Sequence, residues 1–480
     1  MPISLFFHKP DLGEQGLAAI RTDLPSSGRE ALAMLRSPVG RLQLQTRLFR
    51  RAKPVLFRLA TLYRRTFVRR TRIATIVGSF GKSTAARTTM AALGGDISRL
   101  SERNAGSFLA RAMFRVRPWH RFSAIEVGVN GPGTMQPNGA MIRPDIVVVT
   151  SIGSEHNRSF KTLEATRHEK AEMVRALSDT GLAVLNGDDP NVLWMKSQTS
   201  GRVITFGFEP SNAVRAEDLA FDWPRGMRFN LLSDGETHEV NTCLVGRHMV
   251  YSILAAAATC VGEGVDLDEA LPRVETVGPT PGRMQIVPLE GGAFLLRDDY
   301  KSSMETIETA LETLAEIPAK NRIAVLGEVS EPPGSQGPVY KSLGELATRA
   351  ATKVIVVGEK RAFERYRAGL YAGGMPRESI VHAGRSAIGA AELLQESLEP
   401  EDVVLVKGKD VQRLERVSFA LMGQKVRCDL TRCYMKATRC GTCSLLGRGP
   451  LVQSGFTRLP DPSREWSRCR SRDSQKSGAS

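Results

Sequence analysis

Residues 76–89 read IVGSFGKSTAARTT. Gly81, Lys82 and Ser83 have the types and order of a phosphate-binding loop. The lysine would reach outer phosphates, the hydroxyl would bind Mg2+, and backbone N–H groups at a helix start would face the anion. The spacing is short. The common pattern sets its first glycine five residues before the glycine of the Gly-Lys pair. Here that position is Ile76, and the first glycine, Gly78, precedes Gly81 by three. The flanks suit a loop: Arg72-Ile-Ala-Thr-Ile-Val77 reads as a buried strand and residues 85–93 are rich in helix formers. Gly78, Ser79, Phe80, Gly81, Lys82, Ser83 and Thr84 are therefore the expected phosphate contacts. The plain alternative is an ordinary turn before a helix.

Further chemistry follows at strand ends. Glu126 sits in EVGVN (126–130), where a carboxylate can take Mg2+, a cation that prefers oxygen ligands. TSIGSEH (150–156) brings His156, a candidate metal or phosphate ligand; a lone loop histidine is more often a surface residue. Lys170 lies in EKAE (169–172), which by itself reads as an exposed charged helix face. Near the C-terminus, Cys428, Cys433, Cys440 and Cys443 are separated by four, six and two residues. Four thiols in a reducing compartment suit a tetrahedral Zn2+ site; otherwise they are free or redox-active. Cys243 and Cys260 are isolated and read as small apolar packing groups.

These groups need elements to position them. FSAIEVGV (122–129), DIVVVTSI (145–152) and LAVLNGD (182–188) read as buried strands, with a helix over 163–177. A Pro/Gly hinge, VGPTPGR (277–283), precedes a second alternating block whose strands are AFLLRDD, RIAVLGE, KVIVVGE and DVVLVKG. Strands spaced by helical patterns predict an α/β protein with doubly wound, mostly parallel sheets: a P-loop central domain and a Rossmann-like C-terminal α/β domain, with the site in the cleft. The predicted organisation is a basic helical leader (1–71), a central domain (72–280), a C-terminal domain (281–425) and a Cys-rich tail (426–480), disordered from about residue 446.

The 480 residues carry a net charge of +15, unevenly. No Asp or Glu occurs over residues 31–95, and RLFRRAKPVLFRLATLYRRTFVRRTR (47–72) interleaves arginines with apolar residues. Three readings fit this leader: a helix packed on the next domain with a solvated basic face, an amphipathic helix at an anionic membrane surface, or a nucleic-acid contact. Few aromatics accompany the arginines, which argues against nucleic acid. No run of about eighteen apolar residues occurs, and no signal-peptide pattern opens the chain. The expected location is the cytoplasm, at most peripheral to the inner membrane face.

The order GxxGKS, ExGxN, TxIGxxH, helical lysine and NGDDP (186–190), followed by GRHMVYSILAAAA (246–258) and PGRMQ (281–285), resembles the Mur ligase family over residues 72–421. The pattern is nearest its D-alanyl-D-alanine-adding branch, and in this family the short loop is normal. The resemblance implies an ADP-forming acid–amino-acid ligase of peptidoglycan precursor synthesis. ATP would activate a carboxylate as an acyl phosphate, which an amine attacks. Its implied partners are small-molecule or lipid-linked carboxylate and amine substrates. By the same resemblance Lys82 and the Gly78–Thr84 loop hold phosphates, Ser83 and Glu126 hold one Mg2+, and His156 a second. Lys170 aligns with the family's carbamylated lysine, and Arg283 and Asp299 approach ATP on lobe closure. Lys407 either faces the cleft or simply ends a strand. Three departures stand out. Residues 1–71 are too few and too basic for the family's N-terminal nucleotide-sugar domain. Met249 and Ser252 replace two asparagines of the helix motif. The second-lobe pattern DDSYNANP becomes Asp298-Asp-Tyr-Lys-Ser-Ser-Met304, one residue shorter.

Overall fold

In the computed structural model, the described residues are 35, 38–101, 103–129, 131–155, 157–433, 438–443 and 445–447. His156 and Asn130, two residues of the predicted motifs, lie outside them, as does the segment after residue 447.

Two basic helices, α1 (Pro38–Arg51) and α2 (Lys53–Thr66), lead into strand β1 (Arg72–Val77). Then come α3 (Lys82–Ala92), α4 (Ser107–Arg115), β2 (Phe122–Glu126), α5 (Met135–Ile142), β3 (Ile146–Val149), α6 (Leu163–Arg175), β4 (Leu182–Asn186) and β5 (Arg202–Gly207). Strands β6 (Val214–Asp222), β7 (Gly226–Ser233) and β8 (Glu236–Thr242) and helices α7 (Arg247–Glu263) and α8 (Leu267–Glu275) follow. The sheet order is β2-β1-β3-β4-β5-β6-β7-β8, parallel through β6 and antiparallel beyond. The sequence reading did not anticipate the antiparallel extension. Its strands alternate buried and more exposed residues, as β7 does with Arg228, Asn230 and Leu232 between buried neighbours, because one face meets solvent.

Strand β1 is apolar on both sides because helices cover both. Ala74 and Ile76 join the core beneath α3 and α7, whereas Ile73 and Val77 join the core beneath α2, α4, α5 and α6. Two β-branched isoleucines and a valine in six residues suit that doubly buried position.

The second lobe contains β9 (Gln285–Pro288), β10 (Phe294–Asp298), α9 (Met304–Glu316), β11 (Arg322–Leu326), α10 (Gln336–Ala350), β12 (Lys353–Val356), α11 (Lys360–Ala372), β13 (Ile380–His382), α12 (Ala387–Gln395), β14 (Val403–Lys407) and α13 (Glu415–Leu421). Its sheet order is β13-β12-β11-β14-β10-β9, parallel except for β9. One apolar cluster runs from α3 and α7 of the first lobe into α9, α10 and β11 of the second. The two lobes therefore share buried contacts.

The basic leader packs on the first lobe. Ala60 and Arg64 of α2 are buried. The Tyr63 hydroxyl donates to the Val116 carbonyl at 2.7 Å. The Arg64 guanidinium donates to the carbonyls of Val68 (2.6 Å), Thr71 (3.1 Å) and Ile142 (3.0 Å) and pairs with Asp145 at 2.7 Å. A buried cation needs such partners, and here they tie α2 to the segments entering β1 and β3.

Candidate active site

The loop after β1 is clasped by the segment after β3. Gly78 has φ of 152°, and a Cβ there would lie 2.0 Å from the Thr150 hydroxyl, so no larger residue fits. The Ser79 N–H donates to the Ser151 carbonyl (2.8 Å) and the Phe80 N–H to the Ser151 hydroxyl (2.9 Å). The Thr150 hydroxyl donates to the Phe80 carbonyl at 2.5 Å. Gly81, at φ 78°, turns the chain into α3, whose first intrahelical bond runs from Ala85 N–H to the Gly81 carbonyl. The N–H groups of the first helical turn have no intrahelical acceptor, which makes this end an anion cradle.

The NGDDP motif holds that clasp in place. The Asn186 amide donates to the Thr150 carbonyl at 2.9 Å, and the Asp189 carboxylate accepts from the Ile152 N–H at 2.7 Å. Asp188 accepts from the Phe208 N–H (2.6 Å) and the Tyr251 hydroxyl (2.9 Å), linking β5 to α7.

Three lysines meet around this loop. Lys82 Nζ donates to the carbonyls of Gly78 (2.8 Å) and Ser79 (3.0 Å) and lies 3.4 Å from the Glu155 carboxylate. Lys170 Nζ donates to Ser79 Oγ at 2.7 Å, and that hydroxyl also accepts from the Gly153 N–H at 2.8 Å. Lys301, from the second lobe, pairs with Glu155. Lys170 is not part of an exposed charged face, as EKAE alone would suggest. Lys170 is 2% exposed, because its neighbour Glu169 turns the other way to cap α5, accepting from the N–H groups of Gly133, Thr134 and Met135 at 2.7–2.8 Å. Burial, reinforced by the Lys82 charge, drives the Lys170 ammonium well below the usual lysine range, against the pull of Glu155. A neutral amine is the form that reacts with CO2.

Glu126 ends β2, and in the parallel register it stands beside Ile76, one residue before the end of β1. Its carboxylate accepts from the Asn104 amide at 2.6 Å. Ser83 opens α3 next to Lys82 and is half-buried. Among the described residues no group of three or more His, Cys, Asp or Glu is set to hold a metal. Ser83 and Glu126 thus suit a Mg2+ that arrives with phosphate oxygens, not one held in an all-protein cage.

The second lobe closes on the same site. Glu305, in the first turn of α9, accepts from the Ser154 N–H (2.7 Å) and hydroxyl (2.8 Å). Asp299 accepts from Arg297 Nε (3.1 Å) and the Ser418 hydroxyl (2.7 Å) through one oxygen. Its other oxygen, Oδ1, is buried without a partner and would sit 2.6 Å from a Cβ placed on Gly282. Arg283 Nε is likewise buried and unpartnered, with the guanidinium 4.6 Å from the Tyr300 ring centre. Orphaned polar atoms on Asp299 and Arg283, the two second-lobe residues expected at the nucleotide, fit a ligand with complementary donors and acceptors. Lys407 does not point into open cleft: it pairs with Asp298 at 2.7 Å and donates to the Lys301 carbonyl at 2.5 Å, propping the 298–303 segment. His248, at the start of α7, sits near Asp298 and Lys407; burial pushes its imidazole down to about 4.

Sequence reasoning missed Glu155, Lys301 and Glu305 as site groups. Glu155 adjoins His156 in a quoted motif and could have been found. Glu305 carries no local signal, since its partner is 151 residues away.

The tail does not form the expected zinc site. Arg416, 1% exposed, donates to the carbonyls of Cys428 (2.8 Å) and Leu430 (2.5 Å), and the Cys440 N–H donates to Glu415 at 2.7 Å. Cys440 packs with Phe419 and Leu446. Burial pushes the Cys428, Cys440 and Cys443 thiols up, and among the described residues the four cysteines make no metal-holding group. Arg439 of this tail lies 3.7 Å from the Tyr300 ring centre.

The profile of the Mur ligase middle domain matches residues 73–260, and that of the Mur ligase glutamate ligase domain matches residues 282–410. The chain belongs to the Mur ligase family. It is 29% identical over 315 residues to the UDP-N-acetylmuramoyl-tripeptide–D-alanyl-D-alanine ligase of Mycobacterium tuberculosis, covering 62% of each chain. With the Escherichia coli enzyme of the same name it shares 26% identity over 296 residues, covering 60% of this chain and 65% of the relative. It thus spans less than two thirds of the length of these curated relatives. The crystal structure of MurF ligase from Thermotoga maritima in complex with ADP superposes with a TM-score of 0.68 at 20% identity, over 78% of this chain and 84% of that one. This likeness establishes the shared α/β fold.

Proposed function

We propose that the protein is an ATP-dependent, ADP-forming ligase that joins a carboxylate to an amine, of the peptidoglycan-precursor type. The observation that carries this reading is the meeting of Lys82, Lys170 and Lys301 around Ser79 and Glu155, at the N-terminus of α3. Lys82 and Lys301 beside the single Glu155 carboxylate suit a polyanion, since buried cations need counter-charge, and Lys170 lies within the same cluster.

The reaction follows from that arrangement. A substrate carboxylate oxygen attacks the terminal phosphorus of ATP, the bond to ADP breaks, and an acyl phosphate forms. The amine nitrogen then attacks the acyl carbon, inorganic phosphate leaves, and the nitrogen gives up its proton. Both steps bring negative charges together, so electrostatic stabilisation is the main requirement. Lys82 and the first-turn N–H groups of α3 bind phosphate oxygens. Mg2+ held by Ser83 and Glu126 supplies further charge neutralisation when bound. A carbamate on Lys170 would convert this buried amine into an anion suited to orienting that metal. Arg283 and Asp299 contact the nucleotide from the second lobe, and the Glu305 and Lys301 contacts exclude water from the acyl phosphate.

The muramoyl tripeptide and D-alanyl-D-alanine pair is the first candidate, because the curated relatives carry that name. A different acid and amine is the second. It is favoured by Lys301 and Ser303, which stand where the family motif has asparagines. The test is phosphate release from ATP with Mg2+ and bicarbonate, screened over muramoyl peptides, other carboxylates and amines. Amine-dependent release that Lys82→Ala and Lys170→Ala both abolish supports the reading. Nucleotide binding without release for any pair overturns it in favour of a nucleotide-binding scaffold.

A further inference from the structure

Packing of α2 on the first lobe uses only one side of that helix. Val55, Leu59 and Leu62, spaced by four and three residues, form a stripe on the opposite side and are 58%, 50% and 57% exposed. Six of the ten large apolar side chains exposed among the described residues lie between positions 35 and 67. The stripe is flanked by Arg58 and Arg65, both exposed. It carries no compensating acid, since none occurs over residues 31–95.

A second pair of exposed apolar side chains lies past the C-terminal end of α2. The turn after α2 exposes Phe67 to 66%, and the turn before β2 exposes Trp119 to 76%. The two turns are neighbours: the Thr71 hydroxyl donates to the Arg117 carbonyl (3.2 Å), and the Arg72 N–H donates to the Arg121 carbonyl (2.9 Å). Arg69, Arg70, Arg117 and Arg121 are exposed around the two aromatic rings.

We infer that this face docks on an anionic lipid bilayer. Aliphatic side chains flanked by arginines, with Trp and Phe at one end, match the interfacial layer, where apolar groups enter the acyl boundary and cations meet headgroup phosphates. A second copy of the chain does not match, because arginines would meet arginines without a carboxylate. Nucleic acid would use the arginines but gains nothing from an aliphatic stripe. The docked orientation leaves the reaction site free. Phe67 and Trp119 precede the N-terminal ends of β1 and β2, whereas the phosphate loop follows the C-terminal end of β1, roughly 20 Å away along a six-residue strand. The cleft would then face the solution.

The test sediments the full-length protein with vesicles of phosphatidylglycerol and phosphatidylcholine, and with phosphatidylcholine alone. Binding to the anionic vesicles only is expected. Leu59→Ser/Leu62→Ser, which keeps the charge, should weaken partitioning about tenfold. Arg58→Gln/Arg65→Gln should weaken it roughly 30-fold and flatten its salt dependence. Trp119→Ser, outside the helix, should weaken it severalfold, and an unchanged melting temperature confirms each variant's fold. Three results would each overturn the inference: serine variants that pellet like the parent, equal binding to neutral vesicles, or RNA that displaces the vesicles and binds the serine variants undiminished. None of these readouts involves amide formation, so they stand or fall separately from the ligase reading.

Discussion

Glu305 offers the sharpest test of how the lobes cooperate. Its carboxylate accepts two hydrogen bonds from Ser154, at 2.7 and 2.8 Å, across the cleft. Ser154 is 8% exposed, and its N–H loses an acceptor if Glu305 is truncated. Hydrogen bonds to a charged group contribute about 1.5–3 kcal/mol when buried, and the half-buried carboxylate argues for the low end. Glu305→Ala is therefore expected to cost closure about 2 kcal/mol, roughly a 30-fold change in equilibrium. If turnover needs the closed arrangement, kcat/KM for amine-dependent phosphate release should fall by about that factor. Glu305→Gln retains one acceptor oxygen and should lose severalfold. Small-angle scattering should show a larger radius of gyration for Glu305→Ala, with its melting temperature little changed. Activity of Glu305→Ala within about twofold of the parent would refute the argument that this contact governs closure.

Other expectations follow from the same contacts. Burial holds the Lys301 ammonium down at about 8 while Glu155 pulls it up; the bridge to Glu155 is intact below that pH, so turnover should fall as pH rises through about 8, and Lys301→Arg should move that limb upward. The unfolded amine titrates near 10.5, so between about 8 and 10.5 the unfolded chain binds the extra proton, and this group's contribution to stability should rise with pH across that window in denaturant titrations. Arg64→Met removes the donors to the Val68, Thr71 and Ile142 carbonyls and breaks the ion pair with the partly exposed Asp145, which keeps the Ile73 N–H, and should cost about 2–3 kcal/mol of unfolding free energy by urea titration. Ending the chain after Lys425 removes the carbonyl acceptors of buried Arg416 and should lower stability by about 2–3 kcal/mol, whereas a chelator should leave the melting temperature of the intact chain unchanged.

The sequence by itself determined the alternation of strands and helices, because doubly covered parallel strands must be apolar on both faces, and β1, β3 and β14 are. It also determined the glycine turn between β1 and α3. Gly78 and Gly81 sit at positive φ in a strand–turn–helix context, and such backbone needs announce themselves as residue types. The ordered motifs carried the family resemblance for the same reason. What only the tertiary structure decided is which side chains meet. Lys170 reads as surface because its neighbours are charged; its burial depends on Glu169 turning away to cap α5. The cysteine spacing suggested a metal, but Arg416 and Glu415 fold the tail onto α13 through backbone groups that no side-chain motif records. Lys301 and Glu305 reach Glu155 and Ser154 across nearly 150 residues of chain, a pairing set by the apposition of two separately folded sheets. Local propensity and periodicity act over a few residues, whereas the geometry of this site is set by contacts between distant ones, and those exist only once both lobes have packed.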